Sequence, residues 1–213
     1  MMSRCAECGI YACYTGQTGK IPEHCPMKSE GSVLEEARKE YQGPGVFNLA
    51  LNSALTESAG YRKWTRLEEI IQFSRMAGFT RLGLAFCVGL RKEAAEVAKI
   101  FKQAGFVVES VMCKTGSTPK EFLGIRDEQK VRPGQFEPMC NPIAQAHILN
   151  RAGTELNVLL GLCVGHDSLF IKYSAAPVTV LAVKDRVLAH NPLGAVYAAH
   201  YYTPKLVAYK KPD

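Results

Sequence analysis

Two apolar runs in this sequence close on the same three residues. Leu82-Gly83-Leu84-Ala85-Phe86 leads into Cys87-Val88-Gly89, and Asn157-Val158-Leu159-Leu160-Gly161-Leu162 leads into Cys163-Val164-Gly165. An apolar run followed directly by helix-forming sequence reads as a buried strand handing over to a helix, with a thiol at the join. In open α/β sheets ligands bind outside the carboxyl ends of the strands. The two cysteines therefore face one crevice if their strands are near neighbours.

The same grammar runs through the second half of the chain. Arg81 to Phe86 reads as a strand, Leu90 to Ala104 as an amphipathic helix closed by Gly105, and Phe106 to Met112 as the next strand, which makes one right-handed βαβ unit. Val178 to Val183 adds a fourth strand after a short helix over Ser168 to Tyr173, with Asp167 and Ser168 as its capping residues. Asn141-Pro142 is an N-cap and first-turn proline for a helix to about Ala152, and Asn191-Pro192 starts a last short helix. Thr65 and Glu68 form a capping box, with Leu67, Ile70, Ile71 and Ser74 at helical spacing behind it; Thr118 and Glu121 offer a second box with Pro119 at the first helical position. Gly124 to Met139, with Pro133, Gly134 and Pro138, reads as a long loop over the crevice. Helices are also expected from Ser32 to Tyr41 and from Val46 to Ala59. The expected fold is α/β: a Rossmann-like, three-layer domain over residues 31–213, with a mainly parallel sheet of about four strands, preceded by a cysteine-rich knuckle over residues 1–30.

That knuckle holds Cys5, Cys8, Cys13 and Cys25 among glycines and prolines, with too few apolar residues for a core. A segment of that kind folds around something other than hydrophobic burial, and metal is the expectation. The spacing leaves iron–sulfur and zinc open: Cys25-Pro26 resembles the end of a ferredoxin run, whereas four thiolates, or three with His24, also suit a zinc knuckle. Eight cysteines in a chain with cytosolic features favour metal or redox chemistry over disulfides.

Cys87, Cys113, Cys140 and Cys163 each fall where a strand or loop gives way to a helix N-terminus, a position that stabilises a thiolate. Any one of them could be a buried apolar side chain. Four at equivalent positions suit a common site: a [4Fe–4S] cluster, a closed zinc site, or a metal set in which one cysteine is a catalytic thiol. His166 and Asp167, directly after Cys163, are candidate acid/base groups, and Lys114, Arg126 and Lys184 are candidate anion holders.

The net charge of +6 is dispersed, with Arg62-Lys63 and Lys210-Lys211 as small clusters, so nucleic acid is not the expected partner. No apolar run is long enough to span a bilayer, and Cys5, Glu7 and Cys8 interrupt any signal peptide; no membrane role and a cytoplasmic location are expected.

The motifs Cys140-Asn141-Pro142, Gly161-Leu162-Cys163-Val164-Gly165-His166-Asp167-Ser168-Leu169-Phe170, Ala176-Pro177-Val178-Thr179 and Lys184-Asp185-Arg186-Val187-Leu188-Ala189-His190-Asn191-Pro192 carry a resemblance. Together with Cys5-Ala6-Glu7-Cys8 and Cys25-Pro26, they make the chain resemble a domain-of-unknown-function family of uncharacterised metal-binding proteins from anaerobic bacteria and archaea. The resemblance implies metal binding and a cytoplasmic setting, and no particular reaction.

The resulting expectation is an iron–sulfur protein with one or two clusters, which transfers electrons to, or reduces, a small substrate in the cysteine-lined crevice, alone or with a redox partner protein. Two alternatives stand beside it. One is a zinc-stabilised module that binds a small anion or a partner; no G-x-G-x-x-G or P-loop supports a nucleotide. The other is a thiol enzyme that transfers sulfur or reduces disulfides, with Cys163 as nucleophile.

Overall fold

A computed structural model describes residues 3–208; the basic pair Lys210-Lys211 lies outside them. The chain divides into two compact units, one up to Tyr61 and one from Arg62 onward. The helices after residue 30 thus group with the cysteine-rich segment.

In the first unit, α1 (Ala12–Thr15) and α2 (Pro26–Ser29) are single turns, followed by α3 (Gly31–Glu40) and α4 (Pro44–Gly60). Gly43-Pro44 does not only stop α3: Gly43 is the N-cap of α4 and Pro44 its first residue, where the missing N–H costs nothing. Val33 and Leu34 on α3, and Tyr41 at its C-cap, are exposed.

The second unit begins with α5 (Arg66–Met76), whose capping box forms as read: the Glu68 amide donates to Thr65 Oγ1 and the Thr65 amide to Glu68 Oε2. Then come β1 (Arg81–Phe86), α6 (Arg91–Gln103), β2 (Val107–Met112), α7 (Pro142–Arg151), β3 (Leu156–Leu162), α8 (His166–Tyr173) and β4 (Val178–Val183), with α9 (Leu193–Tyr197) and α10 (Ala199–Val207) at the end. The four strands form one sheet in the order β2-β1-β3-β4, parallel throughout. The chain steps from β1 to β2 on one side and returns to β3 on the other. The switch point, where a crevice opens at the carboxyl ends, therefore lies between β1 and β3.

Helices cover both faces. Ile70 and Ile71 of α5 and Ala94, Val97 and Phe101 of α6 pack with Leu82, Leu84, Leu156, Val158 and Leu160. Ala146 and Leu149 of α7 and Phe170 of α8 pack with Ala85, Val111, Leu159 and Leu162, and Cys87 and Cys113 belong to this second layer. Strand alternation puts both thiols on the α7/α8 side. Gly83 is required on that face, because a Cβ there would lie 1.9 Å from Asn157 Oδ1. Asn157 is fully buried and paired at both ends: Thr154 Oγ1 donates to its Oδ1 and its Nδ2 donates to Ser174.

Three local readings are corrected. The Thr118–Glu121 box does not form: Pro119 pairs with Pro138 in an antiparallel bridge, a short 3-10 helix runs from Lys120 to Leu123 without a side-chain cap, and Glu121 turns to Lys130. α8 starts at His166, after Gly165 at φ +82°, so Asp167 and Ser168 lie inside its first turn rather than before it. The tail also contains α10, a further helix after the expected one. Among the described residues no helix is long and apolar enough to cross a membrane.

Candidate functional site

β1 and β2 run in register, Phe86 opposite Met112, so the next residue of each brings Cys87 beside Cys113. The Cys113 amide donates to Phe86 O, which ties the two strand ends together. Gln145, fully buried on α7, braces the same ends by donating from Nε2 to Phe86 O and Val111 O. Cys140 arrives from the long loop, where the Asn141 amide donates to Cys113 O (2.7 Å) before Asn141 caps α7. Cys113 therefore lies between the other two thiols. Its Sγ is 3.8 Å from Cys140 Sγ, and the strand register sets Cys87 beside it on the other side. The Val88 amide also donates to Cys113 Sγ at 3.4 Å.

The outer thiols each meet a cation. His166, at the start of α8, hydrogen-bonds Cys140. Lys184, just past β4, reaches Cys87 between Gly89 and Gly161, where a Cβ would stand 3.4 Å and 3.6 Å from its ammonium. Arg186 donates from a guanidinium nitrogen to Cys163 Sγ at 3.2 Å. The electrostatics follow from this order. Hydrogen bonding to Cys113 first, then the Gly89 amide and Lys184, hold the Cys87 thiol down to about 5. The Cys113 hydrogen bond, His166 and Lys114 hold Cys140 down to about 4. Cys113, buried between Cys140 and Cys87, is pushed far above the ordinary thiol range by those two neighbours and by desolvation. His166 is raised by its bond to Cys140. Of the three thiols Cys113 is thus shifted up and its two neighbours down, with His166 beside Cys140 and Lys184 beside Cys87.

A cleft of about 710 Å³ opens at this point. Cys87, Val88 and Gly89 form one side, Lys114, Lys184 and Arg186 contribute cations, and the loop stretch from Val131 to Pro138 supplies Arg132 and Phe136. The loop thus lines the crevice, as its length suggested. It is stapled to itself by Lys120–Glu137, by Lys130 with Glu121 and Asp127, and by Lys114 Nζ donating to Pro138 O at 2.6 Å.

Of the residues singled out in the sequence, Cys87, Cys113, Cys140 and His166 come together, and Cys163 lies nearby under Arg186. Asp167 faces its own helix, accepting from the Ser168 amide. Arg126 is not an anion holder of this cleft; it pairs with Glu128. The roles of Arg132, Arg186 and Gln145 were missed. For Arg186 the signal was its place two residues after Lys184; for Arg132 and Gln145 there was none beyond composition.

In the first unit Cys5 and Cys13 are exposed, and Cys8 and Cys25 are half-buried. The amides of Tyr11 and Ile10 lower the Cys8 thiol, and His24 Nε2 is enclosed without a hydrogen-bond partner. No group of three or more His, Cys, Asp or Glu among the described residues is arranged to hold a metal ion. The Cys113–Cys140 separation does match that of two thiolates at about 2.3 Å from a tetrahedral zinc, about 3.8 Å. The remaining positions do not fit: Arg186 sits on Cys163 and His166 binds Cys140 through a hydrogen bond. A cubic cluster would have to hold apart two sulfurs that are here in contact.

The family model for a protein of unknown function, DUF1847, matches residues 25–181. An uncharacterised protein of Methanocaldococcus jannaschii is 44% identical over 204 residues, covering 96% of this chain and 98% of that protein. No solved structure matches. The thiol row, the loop behind it and the sheet that positions both fall within or beside the matched span, and the chain belongs to the DUF1847 family.

Proposed function

We propose that this protein is a thiol-dependent oxidoreductase that reduces a disulfide-type sulfur bond in a small substrate held in the cleft, with Cys87 as nucleophile and Cys113 as resolving thiol. The observation that carries this reading is the row Cys87–Cys113–Cys140, with Cys113 buried at its centre and the Cys87 end on the cleft. A thiolate that has protein cations beside it and a second thiol in contact is the arrangement thiol–disulfide exchange needs.

The Cys87 thiolate attacks one sulfur of R–S–S–R′, the S–S bond breaks, and R′S⁻ leaves with the electron pair and takes a proton from solvent. With Cys87 now bonded to the substrate sulfur, Cys113 gives its proton to solvent and its thiolate attacks Cys87 Sγ. RS⁻ then leaves, and Cys87 and Cys113 are joined by a disulfide. Two thiols have been oxidised and one substrate disulfide reduced, and an external dithiol, small or protein-borne, restores the pair. Cys87 and Cys113 follow a paired position of two neighbouring parallel strands, whose spacing of about 4.8 Å falls in the 4.4–6.8 Å range that a disulfide spans between Cα atoms.

Cys113→Ser tests this directly. Incubated with a small disulfide, the variant should accumulate a mixed disulfide on the Cys87 peptide, whereas the wild-type chain should release both thiols and lose two hydrogens. Consumption of the disulfide by Cys87→Ser at the wild-type rate would overturn the assignment.

A further inference from the structure

The charge around the cleft does not balance on its own. Glu137 is its only acidic lining residue and is already paired with Lys120. Of the four lining cations, Lys184 faces Cys87 and Arg186 faces Cys163. Of the other two, Lys114 donates to the neutral Pro138 carbonyl and acts on Cys140 together with His166, and the exposed Arg132 forms no ion pair among the described residues. The lining thus carries four cationic side chains against Cys87 and a Glu137 that is already paired, an excess of positive charge for an anionic ligand to answer. The rest of the lining is apolar, with Val88, Val131 and Phe136. A volume of about 710 Å³ suits one small organic molecule.

Resting on the thiol reading above, we infer that the substrate is a small organic disulfide bearing anionic groups, its charged arm held by Lys114 and Arg132 and its apolar part lying on Val131 and Phe136. Both cations line the cleft, one just after β2 and one on the loop. They therefore orient the disulfide as well as attract it, and set which of its two sulfurs meets Cys87.

Two aromatic disulfides that differ in charge separate this from the reading it rests on. The full-length protein is mixed with dithiobis(nitrobenzoate), a dicarboxylate, and with uncharged dithiodipyridine; the Cys87 phase is the one missing in Cys87→Ser. Each rate is divided by the rate of the same probe with free N-acetylcysteine. The expected outcome is a normalised preference for the dicarboxylate of about tenfold or more at low salt, of the size that charge steering provides. The preference should shrink severalfold in half-molar salt and in Lys114→Gln, and more in Lys114→Gln with Arg132→Gln. Equal normalised rates for the two probes, or a preference that survives the double substitution, would overturn the inference and leave Cys87 as a nucleophile of uncharged disulfides. No Cys87-dependent phase with either probe would instead remove the thiol reading itself.

Discussion

Gly161→Ala should be among the most damaging single-methyl changes in the second unit. Gly161 stands in β3 at φ +67°, within a break in the β3–β4 register between Leu160 and Leu162. An L-residue there costs about 1–2 kcal/mol in backbone conformation alone. The new Cβ would lie 2.1 Å from Leu90 Cδ1 and 3.6 Å from Lys184 Nζ. Leu90 is 5% exposed in the core, so it has little room to yield, and forcing a methyl into a packed core adds about 1–3 kcal/mol. The sum is about 2–5 kcal/mol, a large share of a typical domain's stability. Urea titration should show a lower midpoint at unchanged slope. Leu90→Ala alone should cost about 2–5 kcal/mol by leaving a cavity. In the double variant the methyl added at Gly161 enters that cavity, so the pair should cost less than the sum of the singles by about 1–3 kcal/mol. Additivity within about 0.5 kcal/mol would refute the packing of Leu90 over Gly161, and with it the reason this strand needs glycine beside the cleft.

Removing either support of the Cys87 thiolate should raise its pKa, because each favours the charged form. Cys113→Ala should raise it more than Lys184→Met, and thiol-specific absorbance titration of the Cys87 signal reads the order. His166 should titrate above the ordinary 6.5 and fall back toward it in Cys140→Ser, followed by NMR of the ring protons. Its raised value means the protonated ring stabilises the fold below about pH 6.5, with that contribution lost as pH rises through the folded-state value. Treatment with a strong chelator such as phenanthroline should leave the Cys87 reaction rate unchanged. A rate that rises on chelation would show that a metal holds these thiols.

The sheet could be read because its strands are short apolar runs, three of them closed by cysteine and the fourth by Lys184-Asp185: the bounds Arg81–Phe86 and Val178–Val183 match the structure at both ends. The convergence of Cys87 and Cys163 toward one crevice followed from the rule about strand ends, once β1 and β3 proved to be neighbours. The pairing of thiols with cations could not be read that way. The His166 side chain meets Cys140, although its amide donates to the Cys163 carbonyl that it follows in sequence, a pairing that local spacing does not encode. Arg186 meets Cys163 across the β3–β4 pair, a contact that spacing along one strand does not encode. At Thr118–Glu121 a valid capping signal lost to longer-range partners: Glu121 found Lys130, and Pro119 found Pro138. Gly161 looked like one more strand residue, and only its positive φ marks it as the bulge that admits Leu90 and Lys184.

The claim on which the rest depends is that Cys87 is a thiolate at neutral pH. The direct measurement is the rate of Cys87 carbamidomethylation by iodoacetamide as a function of pH, read by peptide mass spectrometry on the folded full-length chain. Only the thiolate reacts. With the thiol held down to about 5, the rate should rise through a midpoint near that pH and be flat from neutrality upward. A midpoint near the ordinary thiol value of about 8.5, with slow reaction at pH 7, would contradict it and return Cys87 to the status of a buried core residue.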